Sequence, residues 1–289
     1  MRRIIRCSEH SGPVAGLGRF LGQKIGWRLN CGYRVIIDRP SEFIQDHLLN
    51  NGEYEPAIVN LIRQTLRPED LFIDVGANMG CHTLVAASLG ARVHSFEPAP
   101  HLQARLTKHV EINRLKEVVS IVAAALGSEI GQATLHVAER DDDGSHSLIS
   151  GIPASSVERV IVPVTTLDAH IKDTNCGPPR LIKIDVEGYE ARVLDGAVNL
   201  TRSTPAPIFI IETGDQMASK ISESARSVLR RLSDLDYRIF RIEKDFSCSP
   251  VATEEASGEL NNYCAIRSDH EFFALIRQQI MSQNTPAAR

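Results

Sequence analysis

The sequence of 289 residues lacks the features of a membrane-spanning or exported protein. No apolar run approaches the roughly 18 residues that a membrane helix requires. The charged start Met1-Arg2-Arg3 is not followed by the apolar segment of roughly 7–15 residues that marks a secretory signal. We therefore expect no membrane span and a cytoplasmic location.

An excess of basic residues is also missing. The chain has 32 Lys and Arg against 36 Asp and Glu, which gives a formal net charge of −4. Proteins that bind nucleic acids generally carry a basic field. Aromatic residues make up only 5% of the chain, which disfavours an extended platform for stacking sugars. We therefore expect no nucleic-acid partner.

The cysteines do not have the spacing of a metal site. None belongs to a CxxC motif or to a cluster of His and Cys with zinc spacing. We expect reduced thiols, as in cytosolic proteins, and no bound metal. The six are Cys7, Cys31, Cys81, Cys176, Cys248 and Cys264.

Short apolar runs alternate with helical patterns along most of the chain, which predicts an α/β fold with a mostly parallel sheet. Strands are expected at 35–37, 71–75, 92–96, 118–122, 131–138, 160–165, 181–184 and 208–211, and two late ones at 237–242 and 263–267. Helices are expected at 55–66, 79–89, 100–113, 167–171, 189–200, 217–232 and 271–281, with loops at 141–147 and 247–259. The pattern divides the chain into an N-terminal extension (1–50), a main domain (51–270) and a C-terminal helix and tail (271–289).

In such sheets, ligands bind beyond the carboxyl ends of the strands. The first strand end, DVGANMG, starts at Asp74 and has glycines at 76 and 80. Glycine allows a tight turn and a close approach of the backbone to a ligand, and the following helix N-terminus suits an anionic group. The G-x-x-x-G spacing is a poor match to the dinucleotide fingerprint.

Carboxylates follow three further strands. Glu97, 23 residues after Asp74, is placed to accept hydrogen bonds from ribose hydroxyls, although a solvent-exposed glutamate before Pro98 is the alternative. Asp185 and Glu187 end another apolar strand, where burial is costly without a partner or a purpose. The alternative is that one of them caps the next helix. Glu212 follows the last of these strands, and Lys183 is a candidate partner for one of these carboxylates.

The motifs DVGANMG, FEP, LIKIDVEGYE and FIIE together resemble the FkbM family of S-adenosylmethionine-dependent methyltransferases. The resemblance spans 52–212. It implies a Rossmann-like class I methyltransferase fold, with a mostly parallel seven-stranded sheet, an antiparallel last strand and helices on both faces.

The resemblance also implies how S-adenosylmethionine is bound. The methionine end would lie against the glycine loop, Glu97 would hold the ribose diol, and the adenine would lie near 123–126, where a backbone N–H replaces the polar side chain of other members. The implied contacts are Asp74, Gly76, Ala77, Asn78, Gly80, Glu97, Pro98 and Ala124.

A hydroxyl acceptor is a poor nucleophile, so a positioned base assists methyl transfer. Asp185 and Glu187 are the catalytic candidates. If their segment is extended, they face the same side, and they then act as base and orienting group or share a cation. Glu212 is a third candidate, and His82, His94 and His146 are weaker ones.

The resemblance implies O-methylation of a sugar, glycolipid or natural-product hydroxyl (enzyme class 2.1.1). Two alternatives stay open: a noncatalytic Rossmann-like module that binds a nucleoside, and an NAD-dependent oxidoreductase. The glycine spacing counts against the oxidoreductase, and the intact glycine loop and Glu97 count against loss of the site.

Overall fold

An eight-stranded sheet with helices on both faces forms the centre of the molecule. The structure is a computed structural model that describes residues 5–6, 25–138, 145–150, 156–256 and 258–274. The strands are β1 Ile5–Arg6, β2 Ile25–Arg28, β3 Arg34–Ile37, β4 Leu71–Val75, β5 Arg92–Phe96, β6 Val119–Val122, β7 Ala125–Leu126, β8 Gly131–Ala138, β9 Ser156–Thr165, β10 Leu181–Ile184, β11 Ile208–Thr213, β12 Tyr237–Ile242, β13 Cys248–Pro250 and β14 Asn261–Arg267. The helices are α1 Phe43–Asn51, α2 Pro56–Thr65, α3 Cys81–Ser88, α4 Pro100–Ile112, α5 Leu167–Thr174, α6 Glu190–Asp195, α7 Val198–Thr201, α8 Asp215–Ala218 and α9 Ala225–Ser233.

The main sheet has the order β13-β12-β14-β11-β10-β4-β5-β6. The five strands from β11 to β6 are parallel, and β14 is antiparallel to both of its neighbours. The predicted Rossmann-like α/β class and the antiparallel last strand are confirmed. The expected count of seven strands is wrong, because β13 pairs with β12 at the edge. That strand lies within the predicted loop 247–259, and Cys248 anchors it by packing into the core.

The strands of the sheet are apolar on both faces, as expected of a parallel sheet covered on both sides. All five residues of β4 are buried. Phe72 packs with α2, α3 and α4 in one cluster, whereas Leu71 and Ile73 pack with α6, α7 and α9 in another. The sheet is therefore the rigid base that positions the loops at its carboxyl edge.

Two predicted helices are interrupted in the structure. The helix expected at 189–200 is divided into α6 and α7 at Gly196, where a side chain would clash with the carbonyl oxygen of Gly127. The helix expected at 217–232 becomes α8, a short 3₁₀ turn and α9, because Ser222 has a φ of 62° and Ser224 caps a new helix. Apolar periodicity continued through both breaks, and the sequence pattern did not reveal them.

The region before residue 51 contributes to the core. Val35 and Ile37 of β3 and Leu48 of the unpredicted helix α1 are at most 1% exposed and pack in the same cluster as Phe72. The predicted helix 271–281 lies outside the described residues from 275 onward, and most of the predicted loop 141–147 does too. The division into three parts stays a prediction. In the part of the chain that the structure describes, no helix combines the length and apolarity needed to cross a bilayer.

Candidate active site

A cavity of about 1340 Å³ opens at the carboxyl edge of the sheet. Loops after β4, β5, β6, β10 and β11 contribute to its wall. Eight of the ten predicted site residues line it: Gly76, Ala77, Asn78, Glu97, Pro98, Ala124, Asp185 and Glu187. Asp74 and Gly80 are not among the lining residues.

Gly76 brings the glycine loop against the neighbouring strand end. Its φ is 80°, and an added Cβ would clash with the carbonyl oxygen of Asp185. The N–H groups of Gly76 and Ala77 donate to the carbonyl oxygen of Phe96 at 3.0 and 2.9 Å. The loop is thus fixed to the strands on both sides, and only glycine fits at its first position.

Asp74 and Gly80 support this loop from behind. Asp74 is 1% exposed, and Thr83 Oγ1 donates to its Oδ2 at 2.6 Å. Burial raises the pKa of Asp74, although the ammonium of Lys183 and the Thr83 hydroxyl oppose the shift. Gly80 precedes α3 with a φ of 92° and packs against Leu106 of α4. Both residues position α3 and do not form the cavity surface.

Glu97 is held rigidly at the cavity and is only 4% exposed. Its Oε2 accepts the N–H of Asn78 and its Oε1 accepts the N–H of Ala99, both at 2.8 Å. Burial raises its pKa to about 7, although both backbone N–H groups favour the carboxylate. The alternative of a solvent-exposed glutamate is therefore wrong.

An apolar wall stands next to Glu97. Its members are the side chains of Phe96, Leu102, Ala124, Ala125 and Leu126. Apolar side chains together with a fixed carboxylate suit a nucleoside, whose base is apolar on its faces and whose sugar carries hydroxyl donors. The residues present thus fit the adenosine part of S-adenosylmethionine.

Several carboxylates also line the cavity, among them Asp185, Glu187 and Glu212. Lys183 Nζ donates to Asp185 Oδ2 at 2.7 Å, so Asp185 is the carboxylate that pairs with the lysine. Lys183 is 2% exposed. Burial disfavours its charged form, but Asp185, Glu55 and Asp74 outweigh this effect and raise its pKa.

Glu187 lies in a turn and not in an extended segment. Its φ is 53° and that of Gly188 is 96°. The segment is therefore not extended, and the argument that alternate residues of a strand face the same side does not apply to Asp185 and Glu187. Both residues still line the cavity. Glu190 Oε1 accepts the N–H of Gly188 at 2.9 Å, and so binds the turn before α6.

The carboxylates of Glu212 and Glu55 both contact the side-chain amide of Asn262. Asn262 Nδ2 lies 3.2 Å from Glu212 Oε1 and 3.3 Å from Glu55 Oε1. Burial, followed by the charges of Asp185 and Glu55, raises the pKa of Glu212 to about 10. Burial also raises the pKa of Glu55. Glu212 therefore carries a proton at neutral pH and can donate a hydrogen bond.

Sequence reasoning did not single out Glu55 or Asn262 as lining residues, and it placed His82 among the weaker candidates. His82 Nε2 lies 3.4 Å from Glu55 Oε2, and burial lowers the His82 pKa well below its ordinary value. Glu55 falls in a segment that carries the family resemblance, which was a usable signal. Asn262 comes from β14, far along the chain, and no local pattern marks it.

The other two histidines lie in different places. His146 lines the cavity, and its Nδ1 accepts the N–H of Ala138 at 2.9 Å. Burial and the neighbouring His101 lower the His146 pKa to about 4. His94 is not among the lining residues and contacts His170 instead.

Comparison with known proteins gives consistent matches. A family profile described as the methyltransferase FkbM domain matches residues 74–239. The chain is 26% identical over 196 residues to the hexuronic acid methyltransferase AglP of Haloferax volcanii, a match covering 66% of this chain and 78% of that protein. It is 30% identical over 157 residues to the 31-O-demethyl-FK506 methyltransferase FkbM of Streptomyces tacrolimicus, covering 45% and 60% respectively.

Solved structures show a weaker similarity. The crystal structure of methyltransferase FkbM from Methylobacillus flagellatus KT aligns with a TM-score of 0.43 and 15% identity. The alignment covers 72% of this chain and 50% of that one, so this chain matches about half of its length.

Proposed function

Because the chain belongs to the FkbM methyltransferase family, we propose that it transfers a methyl group from S-adenosylmethionine to a hydroxyl oxygen of a small-molecule or glycan acceptor. One observation carries the proposal: the same cavity has two parts of different chemistry. One half, around Glu97 and Ala124, combines apolar side chains with a buried carboxylate, and the other half, around Asp185 and Glu187, is rich in carboxylates. The first half suits a cofactor and the second suits the activation of a hydroxyl.

In the cofactor half, Glu97 would accept hydrogen bonds from the two ribose hydroxyls, and Ala124 with its neighbours would contact the adenine. Gly76, Ala77 and Asn78 border the methionine part, and Pro98 follows Glu97 at the cavity wall. When bound, S-adenosylmethionine supplies a methyl group on a sulfonium that is already an activated leaving group. The protein therefore contributes mainly by aligning the acceptor oxygen with the methyl group and the sulfur. The transfer then takes place within one bound complex and needs no bimolecular collision.

In the acceptor half, a carboxylate takes the proton of the acceptor hydroxyl as its oxygen becomes nucleophilic. We propose that Asp185 and Glu187 divide this work, one as the base and the other as the group that orients the acceptor. Lys183 acts as a positioning residue because it holds Asp185 at 2.7 Å. Glu212, protonated at neutral pH, can donate to an acceptor oxygen.

His82 with Glu55 is a second candidate base. Burial keeps the imidazole of His82 neutral, and Glu55 Oε2 lies 3.4 Å from its Nε2. A neutral imidazole can accept a proton, and an adjacent carboxylate stabilises the resulting cation.

The names of the relatives support an oxygen acceptor. AglP is named for a hexuronic acid, and the Streptomyces tacrolimicus protein is named for an O-demethyl compound. A sugar, glycolipid or natural-product hydroxyl is therefore the acceptor that we propose for this chain.

The cofactor assignment is tested by calorimetric titration with S-adenosylmethionine, with NADH as the comparison ligand. Glu97→Ala should weaken binding about tenfold to a hundredfold, because a buried hydrogen bond is worth roughly 1–3 kcal/mol when lost. Glu129→Gln, at an exposed position outside the cavity, should bind like the wild type. Binding of NADH alone, or no binding of S-adenosylmethionine, would overturn the assignment.

To test the base, candidate acceptors are first screened by mass spectrometry for the gain of one methyl group. An acceptor found in this way is then used to assay the variants. Asp185→Asn or Glu187→Gln should lower kcat at least about a hundredfold, the lower range for a general base, while the cofactor Kd stays unchanged. If neither variant loses activity and His82→Gln does, the base is His82 and our assignment is wrong.

A further inference from the structure

Three metal-ligating side chains meet outside the cavity. They are His94 on β5, His170 on α5 and Cys176, two residues after α5 ends. Their ligand atoms all lie within 4.8 Å of one another, and His94 Nδ1 is 2.8 Å from His170 Nε2. No member of this group is among the described residues that line the cavity.

The spacing of these atoms is close to that of a tetrahedral zinc site. Zinc–nitrogen bonds of roughly 2.0–2.1 Å at tetrahedral angles place two nitrogens about 3.3 Å apart. The two imidazole nitrogens, at 2.8 Å, would have to separate by only about 0.5 Å to reach that distance.

The chemical state of the group also suits a metal. Burial, together with the other imidazole, lowers the pKa of His170 to about 4. Burial and the Arg92 charge lower the pKa of His94. Both rings are therefore neutral at neutral pH, which is the ligating form. Two imidazoles and a thiolate suit zinc, whereas magnesium and calcium prefer oxygen ligands.

The backbone holds the third ligand in place. Asn175 (φ 46°) and Gly177 (φ 82°) are both left-handed and turn the chain back after α5. Arg92 Nη1 donates to the carbonyl oxygen of Cys176 at 3.1 Å, which ties this turn to β5. His94 and Cys176 are only half-buried, so an ion can enter and water can occupy a fourth position.

We propose that His94, His170 and Cys176 bind one zinc ion, with water as the fourth ligand. Binding releases the thiol proton of Cys176 to solvent, and the proton shared between His94 Nδ1 and His170 Nε2 moves to the other nitrogen of the ring that carries it. The ion would join α5 to β5 next to Phe96, whose ring centroid lies 4.7 Å from that of His170. This departs from the metal-free expectation, because the ligands are distant in sequence and show no zinc spacing.

The test uses the full chain, stripped with a chelator and titrated with Zn²⁺ by calorimetry and with Co²⁺ by absorption spectroscopy. We expect one Zn²⁺ per chain, and with Co²⁺ a thiolate-to-metal charge-transfer band in the near ultraviolet. Cys176→Ser should abolish the band and weaken Zn²⁺ binding at least about a hundredfold, since even outer-shell partners cost roughly 10–100-fold. The matched control is Cys31→Ser, another half-buried thiol, which should leave both unchanged.

Absence of the band in the wild type would overturn the proposal without requiring any variant to fold. Zinc binding that persists in Cys176→Ser would do the same. Neither result depends on methyl transfer, so the zinc site and the proposed enzymatic function fail or succeed separately.

Discussion

Two effects act in opposite directions on the protonation state of Glu97. Burial favours its neutral form and raises its pKa to about 7, whereas hydrogen bonds from ribose hydroxyls favour the carboxylate. Two backbone N–H groups already hold its oxygens in place. Cofactor binding at this residue should therefore be linked to the loss of a proton.

We predict that the affinity for S-adenosylmethionine decreases from about pH 8 to about pH 6, by up to tenfold per unit below the pKa of Glu97. The reason is that more of the free protein then carries a proton that must leave on binding. Glu97→Gln should bind more weakly at about pH 8 and should show little change over this range. Calorimetry at three pH values measures it, and a pH-independent wild-type Kd would contradict the prediction.

Alanine substitutions at Gly76 and Gly32 separate the cost of a steric clash from the cost of a left-handed backbone. Gly76→Ala adds a Cβ that clashes with the Asp185 carbonyl oxygen at a φ of 80°, whereas Gly32→Ala adds one at a φ of 89° with no atom within 4 Å. The control should lose about 1–2 kcal/mol of unfolding free energy from the left-handed conformation alone. Gly76→Ala should lose at least roughly 2 kcal/mol more, as overpacking does, when both are unfolded in urea. Equal losses of unfolding free energy in the two variants would show that the glycine loop shifts to accommodate the Cβ without loss of stability.

At the scale of elements, the sequence predicted the strands better than the helices. β4, β5, β8, β10 and β12 begin and end where their apolar patterns do. β4 and β10 are buried on both faces, so their composition alone marks them, whereas β8 lies in a separate three-stranded sheet and is marked by its alternation. The breaks at Gly196 and Ser222 depend on contacts with distant residues or on capping, which periodicity does not report.

The same distinction applies to the site. Glu97, Asp185 and Glu187 line the cavity because residues directly after parallel strands share one edge of the sheet. Asp74, although it is on such a strand, bonds Thr83 within the protein. Asn262 reaches the cavity from the antiparallel β14, where the rule of strand ends does not apply.

His109 on α4 joins two other elements. Its Nε2 accepts the N–H of Ile36 on β3 at 2.9 Å, and its Nδ1 lies 2.8 Å from the Met79 carbonyl oxygen in the glycine loop. Only the neutral imidazole makes both bonds, and burial lowers its pKa to about 4. The ring thus secures the loop from the side of α4.

His109→Leu should lower the unfolding free energy by about 1–3 kcal/mol, since the Ile36 N–H and the Met79 carbonyl lose their partner. The folded pKa is depressed, so the wild-type contribution is present above the ordinary pKa of about 6.5 and is lost as the pH falls towards 4. His47→Gln, which removes a hydrogen bond to Phe43 within α1 and a ring contact with Tyr54 but no contact with β3 or the glycine loop, is the control. Urea unfolding at two pH values measures both, and a loss that is the same at acid pH would contradict the role of the neutral ring.

Over the whole molecule, buried histidines and buried carboxylates act in opposite directions. For His109, His146 and His170, the folded pKa of about 4 lies below the unfolded value, so stability rises with pH up to about 6.5. For Glu97 and Glu190, with a pKa of about 7, and for Glu212, with a pKa of about 10, the folded state holds the proton to higher pH, so stability falls as pH rises.

From about pH 7.5 to about pH 8, Glu212 should therefore contribute the largest single slope, since the histidines have finished titrating, Glu97 and Glu190 are mostly ionised in the folded protein, and the thiols are only beginning to ionise in the unfolded chain. The unfolding free energy should decrease with pH in this window, by at most about 1.4 kcal/mol per unit for one proton. Glu212→Gln should remove most of the decrease, because an amide keeps the contact with Asn262 and cannot ionise. Glu190→Gln, at a carboxylate whose pKa is about 7, should retain most of it. Urea unfolding at several pH values measures the slopes, and a slope that persists unchanged in Glu212→Gln would show that the titrating proton belongs to another group.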